Sequence, residues 1–147
     1  MGILRRDVDR LRRALPHWQI FEARSGSLLP LSADLHPATN SLWCRRATTS
    51  PWSIEVLLDH ADGLDWVFRR SPAIRRPLSG IMRWTGDGVP YLAPEIQLLY
   101  KSKAIRPRDQ ADFERTVPKL DAGARQWLCT ALRALTPDHV WLTACEG

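Results

Sequence analysis

The order of the sequence patterns predicts an α+β fold, in which a mixed β-sheet precedes a C-terminal helical part. Residues 4–15 have helical spacing, the middle of the chain holds short alternating segments, and helical spacing returns from Pro94 onward. We expect residues 1–92 to form the sheet region and residues 93–147 to form helices packed on it, in one compact unit.

The first predicted helix is amphipathic. Leu4, Val8, Leu11 and Leu15 fall on one side of it, arginines lie elsewhere around it, and Pro16 ends it. Its apolar side is expected to pack on the sheet.

Five short segments are predicted strands: residues 17–22, 41–46, 52–59, 64–69 and 81–84. In the clearest of them, Ile54, Val56 and Leu58 share one face with Trp52, and the other face carries two carboxylates. Three helices follow, which begin at Pro94, around Pro107, and after the N-cap residue Asp121.

The composition limits the classes of function. The net charge of +5 favours anionic partners such as nucleotides or nucleic acid. No apolar run is long enough for a membrane span, and the N-terminus has no apolar core of a signal peptide, so we expect a cytoplasmic protein with no membrane partner. The widely spaced Cys44, Cys129 and Cys145 are interpreted as reduced and structural.

Several common catalytic patterns are absent from the sequence. It contains no Gly-x-Ser-x-Gly, no Gly-x-x-x-x-Gly-Lys and no Gly-x-Gly-x-x-Gly. The four histidines (His17, His36, His60 and His139) are scattered near predicted turns. The sequence therefore argues against a serine hydrolase and against nucleotide binding by a glycine-rich loop.

Glu55 is the candidate metal ligand, because an acid on a strand between core residues is held rigidly and can position Mg²⁺. Asp59 lies four residues further along the strand. At strand rise this is about 13 Å, too far for one shared ion. The alternative, that Glu55 is an acid on the solvated face of an edge strand, stays open.

Two lysines mark the end of the helix that begins at Pro94. Lys101 and Lys103 diverge by about 200° around a helix, so they cannot have the same role. Lys101 is the candidate phosphate ligand, whereas Lys103 is interpreted as a helix-end residue. The alternative is that both lysines only interact with the negative end of the helix dipole and need no ligand, and that Asp109 is only an acid in the first turn of the next helix.

Four segments share a pattern with a known family. They are WCRR at 43–46, PWSIEVLL at 51–58, WVFRR at 66–70, and PYLAPEIQLLYKSK at 90–103 with RPRD at 106–109 and the Asp-Phe pair at 112–113. Together they resemble nucleotidyltransferase-fold proteins related to the aminoglycoside adenylyltransferases. The resemblance covers nearly the whole chain, and residues 90–113 are its most specific part.

The resemblance implies a mixed sheet that carries three carboxylates, which bind Mg²⁺ and a nucleoside triphosphate. A nucleotide would pass to a hydroxyl group of a small molecule. Glu55 corresponds to the third carboxylate and is the implied catalytic and metal-binding residue. Lys101 corresponds to the triphosphate contact, and Lys103, Arg106 and Asp109 complete the implied nucleotide-binding segment.

The chain departs from the family at its N-terminus. In that family, two of the three carboxylates lie in an Asp-x-Asp or Asp-x-Glu motif on one strand. Residues 2–7 look like the segment just after that strand, so the resemblance implies a truncated member without the first strand, its helix and both of these carboxylates. We expect little or no transferase activity, and an exposed sheet edge that favours a homodimer. A misplaced start site, a decayed gene and a shortened non-catalytic protein are the alternatives left open.

Two other functions compete with this interpretation. One is a basic module that binds a nucleotide or nucleic acid without chemistry, through Arg69, Arg70, Arg75, Arg76, Lys101 and Lys103. The other is an interaction subunit that completes its sheet with another chain. Nucleic acid is the less favoured partner.

Overall fold

A computed structural model describes residues 2–146, without the side chain of Glu146. The chain divides into two compact units, Met1–Arg70 and Ser71–Gly147. The predicted α+β class is confirmed, since an antiparallel sheet and helices are both present. The predicted limit between sheet and helices, at residues 92 and 93, falls inside the second unit.

The first unit is built on a sheet. Its strands are β1 (Gly2–Leu4), β2 (Gln19–Arg24), β3 (Ser27–Pro30), β4 (Ser41–Arg45), β5 (Ile54–Asp62) and β6 (Asp65–Val67). Their order is β3-β2-β4-β5-β6 with antiparallel neighbours, and β1 pairs in parallel with β5. A 3-10 turn (Arg5–Asp7) leads from β1 into helix α1 (Val8–Ala14).

The core of the first unit lies between one face of the sheet and α1. Leu42, Val56 and Leu58 are buried there with Val8 and Leu11 of α1. Leu57, between two buried residues of β5, is 53% exposed. The predicted alternation along this strand is therefore confirmed, and we call the opposite side of the sheet, which carries Leu57, the outer face.

The start of the chain differs from the prediction. Leu4 was predicted to begin a helix, but it belongs to β1, and the α-helix begins only at Val8. The prediction was wrong at this end because Gly2–Leu4 pairs with β5, and such a distant partner leaves no mark on local spacing. The strand β3 is not among the predicted strands; it follows a hairpin turn formed by Ser25 and Gly26, both with positive φ.

A buried carboxylate joins β2 to the loop that follows β3. Glu22 is 3% exposed and accepts hydrogen bonds from the Thr39 hydroxyl (2.5 Å), the Ser32 hydroxyl (2.8 Å) and the Ser32 amide (3.2 Å). Burial raises the pKa of Glu22, but these hydrogen bonds together lower it more, to about 2. The carboxylate is therefore ionised in the folded protein and fixes the loop by its charge.

The second unit contains three short strands and most of the helices. They are β7 (Arg75–Pro77), β8 (Met82–Trp84), β9 (Pro90–Leu92), α2 (Pro94–Lys101), α3 (Pro107–Thr116), α4 (Ala122–Leu135) and α5 (Leu142–Glu146). The three predicted helices are confirmed, and Asp121 caps α4 by accepting a hydrogen bond from the Ala124 amide at 2.8 Å. Within residues 2–146, no helix is long and apolar enough to cross a membrane.

Apolar side chains of α2, α3 and α4 form the core of the second unit. Ile96 and Leu99 of α2 and Leu128 and Leu132 of α4 are fully buried. Phe113 of α3 is stacked on Trp141, with 4.3 Å between the ring centroids. Cys44, Cys129 and Cys145 are all buried and form no disulfide.

Glu22→Gln is expected to lower the free energy of unfolding by about 2 kcal/mol at neutral pH, since hydrogen bonds to a charged group contribute about 1.5–3 kcal/mol. The pKa of Glu22 is lowered from 4.5 to about 2, so its contribution is complete above pH 4.5 and is lost as the pH falls through 2. Urea unfolding of both proteins across this range should show their stabilities converging.

Asp9→Asn is the matched control, because Asp9 is an exposed acid whose ion pair with Arg12 lies at the surface. It should leave the stability almost unchanged at every pH. If the Glu22 variant were as stable as this control at neutral pH, the carboxylate would not hold the loop.

Candidate functional site

Glu55 lies on the outer face of the first unit. It is exposed on β5, and the β4–β5 register pairs it with Trp43. The part of the chain that the structure describes contains no group of three or more His, Cys, Asp or Glu residues able to hold a metal ion. The residues present therefore do not fit Mg²⁺ by themselves, and the role of Glu55 stays a prediction.

The parallel register of β1 on β5 determines which position of a neighbouring strand lies next to Glu55. Gly2 pairs with Leu57, and Leu4 pairs with Asp59. A Cβ atom built on Gly2 would lie 3.6 Å from Oδ2 of Asp59, so Gly2 presents its side-chain position to the outer face. If the same register continued, a residue added immediately before Met1 would lie opposite Glu55.

The predicted nucleotide-binding segment forms a charged cluster in the second unit. The cluster contains Lys101 at the end of α2, Arg106 before α3, and Asp109, Asp112 and Arg115 on α3. We call it the α2–α3 charge cluster.

Asp109 is the centre of the α2–α3 charge cluster. It is 1% exposed and accepts hydrogen bonds from Nε (2.6 Å), Nη2 (3.1 Å) and the backbone amide (3.2 Å) of Arg106. Nζ of Lys101 lies 3.6 Å from its Oδ1 atom. Because Asp109 is in the first turn of α3, the positive end of the helix also favours its charge.

Asp112 lies at the exposed side of the α2–α3 charge cluster. It accepts a hydrogen bond from Lys101 and another from Nη2 of Arg115, at 2.9 Å. The hydrogen bond from Lys101 is the main cause that lowers the pKa of Asp112. For Asp109, the hydrogen bond from the Arg106 side chain is the main cause, and the pKa falls to about 2.

The structure thus brings together three of the four predicted nucleotide-binding residues. Lys101, Arg106 and Asp109 belong to the α2–α3 charge cluster, in which three cations face two carboxylates. Lys103 is exposed beyond the end of α2 and makes no hydrogen bond or ion pair with the described residues. Lys101 and Lys103 therefore have different surroundings, and Lys101 joins α2 to α3.

Sequence reasoning missed a second buried carboxylate in this unit. Glu95, in the first turn of α2, is 1% exposed and accepts a hydrogen bond from Arg76. Nη2 of Arg83 lies 3.6 Å from the same oxygen, and the guanidinium of Arg76 lies over the ring of Trp127, 5.1 Å from its centroid. The helical spacing of the sequence could have indicated that Glu95 is buried, because it places Glu95 on the same side of α2 as the buried Leu98 and Leu99.

These ion pairs bear on the basic binding module. Arg76 and Lys101 were two of the six cations assigned to it, and both are paired with carboxylates of their own unit. Their charge is largely compensated inside the protein, which reduces the positive charge that remains for an anionic partner.

Comparisons of the chain with protein-family models, with curated proteins and with solved structures gave no match.

Lys101→Met is expected to lower the unfolding temperature by several degrees, because it leaves Asp112 and the buried Asp109 without a cation that pairs with both. Lys103→Met is the matched control, since it removes the same charge two positions away. Thermal unfolding followed by circular dichroism should separate the two variants. Equal unfolding temperatures would mean that Lys101 does not join the helices.

Proposed function

We propose that the protein is nucleotidyltransferase-like, with Glu55 as one carboxylate of a three-carboxylate site, and that this chain has little or no transferase activity. Full-length relatives would transfer a nucleotide from a nucleoside triphosphate to a hydroxyl group of a small molecule. The observation that supports the proposal best is the parallel register of β1 on β5.

The register supports the proposal through the position that two acids upstream of Met1 would occupy. Side chains alternate along a strand, so the residue immediately before Met1 and the one two positions further upstream would share the face of Gly2 and Leu4. An Asp-x-Asp in that stretch would direct both acids to the outer face, next to Glu55. Neighbouring strands lie about 4.8 Å apart, so three carboxylates in this arrangement are close enough to bind a shared metal centre.

The same geometry explains the low expected activity. Glu55 is one exposed carboxylate, and a single carboxylate on a strand holds Mg²⁺ weakly compared with a set of converging oxygens. The other carboxylate of this part of β5, Asp59, lies about 13 Å further along the strand. The unextended chain therefore offers one ligand where the proposed chemistry needs several.

The second unit supplies the nucleotide-binding part of the proposal. Lys101 keeps 21% of its side chain exposed while Asp109 and Asp112 fix its position. A lysine held in one place loses less conformational freedom when it contacts a phosphate group, which offsets part of the attraction that Lys101 loses because its charge is compensated by these carboxylates. Lys103 and Arg106, both exposed, add positive charge to the same segment.

The proposal predicts that the 147-residue chain transfers no detectable nucleotide from labelled ATP to a panel of aminoglycosides in the presence of Mg²⁺. A chain extended at its N-terminus, with Asp at the position before Met1 and two positions further upstream, should bind Mn²⁺ more tightly by about tenfold or more. Isothermal titration measures this affinity, and Glu55→Gln in the extended chain should abolish the gain.

A second extension, with both acids shifted by one residue, is the matched control. It has the same composition and charge but directs the acids to the core face. Equal Mn²⁺ affinity for the two extensions would contradict the proposed site. So would nucleotide transfer by the unextended chain that is lost on Glu55→Gln.

A further inference from the structure

The first unit contains a groove of about 310 Å³ that neither Glu55 nor the α2–α3 charge cluster uses. Its walls are formed by Arg5, Arg6, Leu35, His60 and Ala61. Three of these five side chains carry N–H donors. The volume is at the lower limit for small-molecule sites, about 300–1,000 Å³.

Arg5 is held in place by backbone carbonyl groups only. Its Nη1 atom donates to the carbonyl of Thr39 at 2.6 Å, and Nη2 donates to the carbonyls of Leu35 (3.3 Å) and His36. These acceptors orient the guanidinium but carry no net charge. The positive charge of Arg5 is therefore fixed at the groove without a carboxylate to neutralise it.

Arg6 and His60 have most of their hydrogen-bonding capacity left. Arg6 is exposed and makes one hydrogen bond, from Nη1 to the carbonyl of Gly63 at 3.0 Å. The His60 side chain makes no hydrogen bond with the residues that the structure describes, whereas its backbone pairs with Val67 of β6. A guanidinium has five N–H donors, so Arg6 can still bind an acceptor in the groove.

Two neighbouring arginines of the same segment have their charges balanced by carboxylates, unlike Arg5 and Arg6. Arg10 pairs with Asp7 at 3.7 Å and Arg12 pairs with Asp9 at 3.6 Å, whereas neither Arg5 nor Arg6 forms an ion pair with a described carboxylate. Arg5 and Arg6 thus bring positive charge to the groove without a carboxylate partner among the described residues.

We infer that this groove binds a phosphate group, either free or as a phosphate monoester. Planar guanidinium groups match phosphate oxygens and donate charge-assisted hydrogen bonds to them. The fixed position of Arg5 lowers the entropic cost of binding, and Arg6 and His60 supply the remaining donors. This site is separate from the proposed nucleotidyltransferase function, because it needs neither Glu55 nor a metal ion.

Isothermal titration of the full chain with inorganic phosphate and with AMP, at constant ionic strength in chloride, tests the site. Arg6→Gln is expected to weaken phosphate binding by about tenfold, the usual effect of losing a hydrogen bond between charged groups. Arg13→Gln, an equal loss of charge on an exposed residue of α1, should change the affinity by less than about twofold.

Tighter binding of AMP than of phosphate would identify a phosphate monoester as the occupant, and the reverse would identify free phosphate. No saturable binding of either, or equal weakening by the two variants, would overturn the inference. If Arg6→Gln does not fold, shifts of the His60 ring and Arg6 side-chain signals in NMR titrations of the unaltered protein decide instead. Absence of such shifts would equally overturn it.

Discussion

The parallel pairing of β1 with β5 is the constraint on which the first unit and its proposed chemistry depend. Three residue pairs, from Gly2–Leu57 to Leu4–Asp59, determine which side chains reach each face of the sheet. They also fix where the chain leaves the sheet, and hence where Arg5 and Arg6 lie. The strand position next to Glu55 and the location of the basic groove therefore both depend on one register.

In the second unit, two buried carboxylates lie at the starts of helices and pair with arginines. Glu95 and Asp109 are each 1% exposed, and each lies in the first turn of a helix, where the helix dipole favours negative charge. Each carboxylate is also paired with an arginine. The net charge of +5 consequently overstates the positive charge that the surface can offer to a ligand.

The sequence predicted the elements whose signals are local. Pro94, Pro107 and the capping Asp121 mark where helices begin, and the alternation along β5 identified its buried face. The missed features depend on distant residues: Arg5 bonds a carbonyl 34 positions away, and Arg76 bonds a carboxylate 19 positions away. The strand β1 cannot be derived from spacing without knowing which segments meet. The spacing along α2 indicates that Glu95 is buried, but not that Arg76 pairs with it.

The register of β1 in solution is the most direct test of the proposed three-carboxylate arrangement. A ¹⁵N-edited NOESY spectrum of the labelled protein should show contacts between the backbones of β1 and β5 that place Ile3 opposite Leu58. A register shifted by one residue, or helical contacts through Gly2–Leu4, would contradict the arrangement. Either result would mean that acids introduced upstream of Met1, as the proposal requires, would not face Glu55.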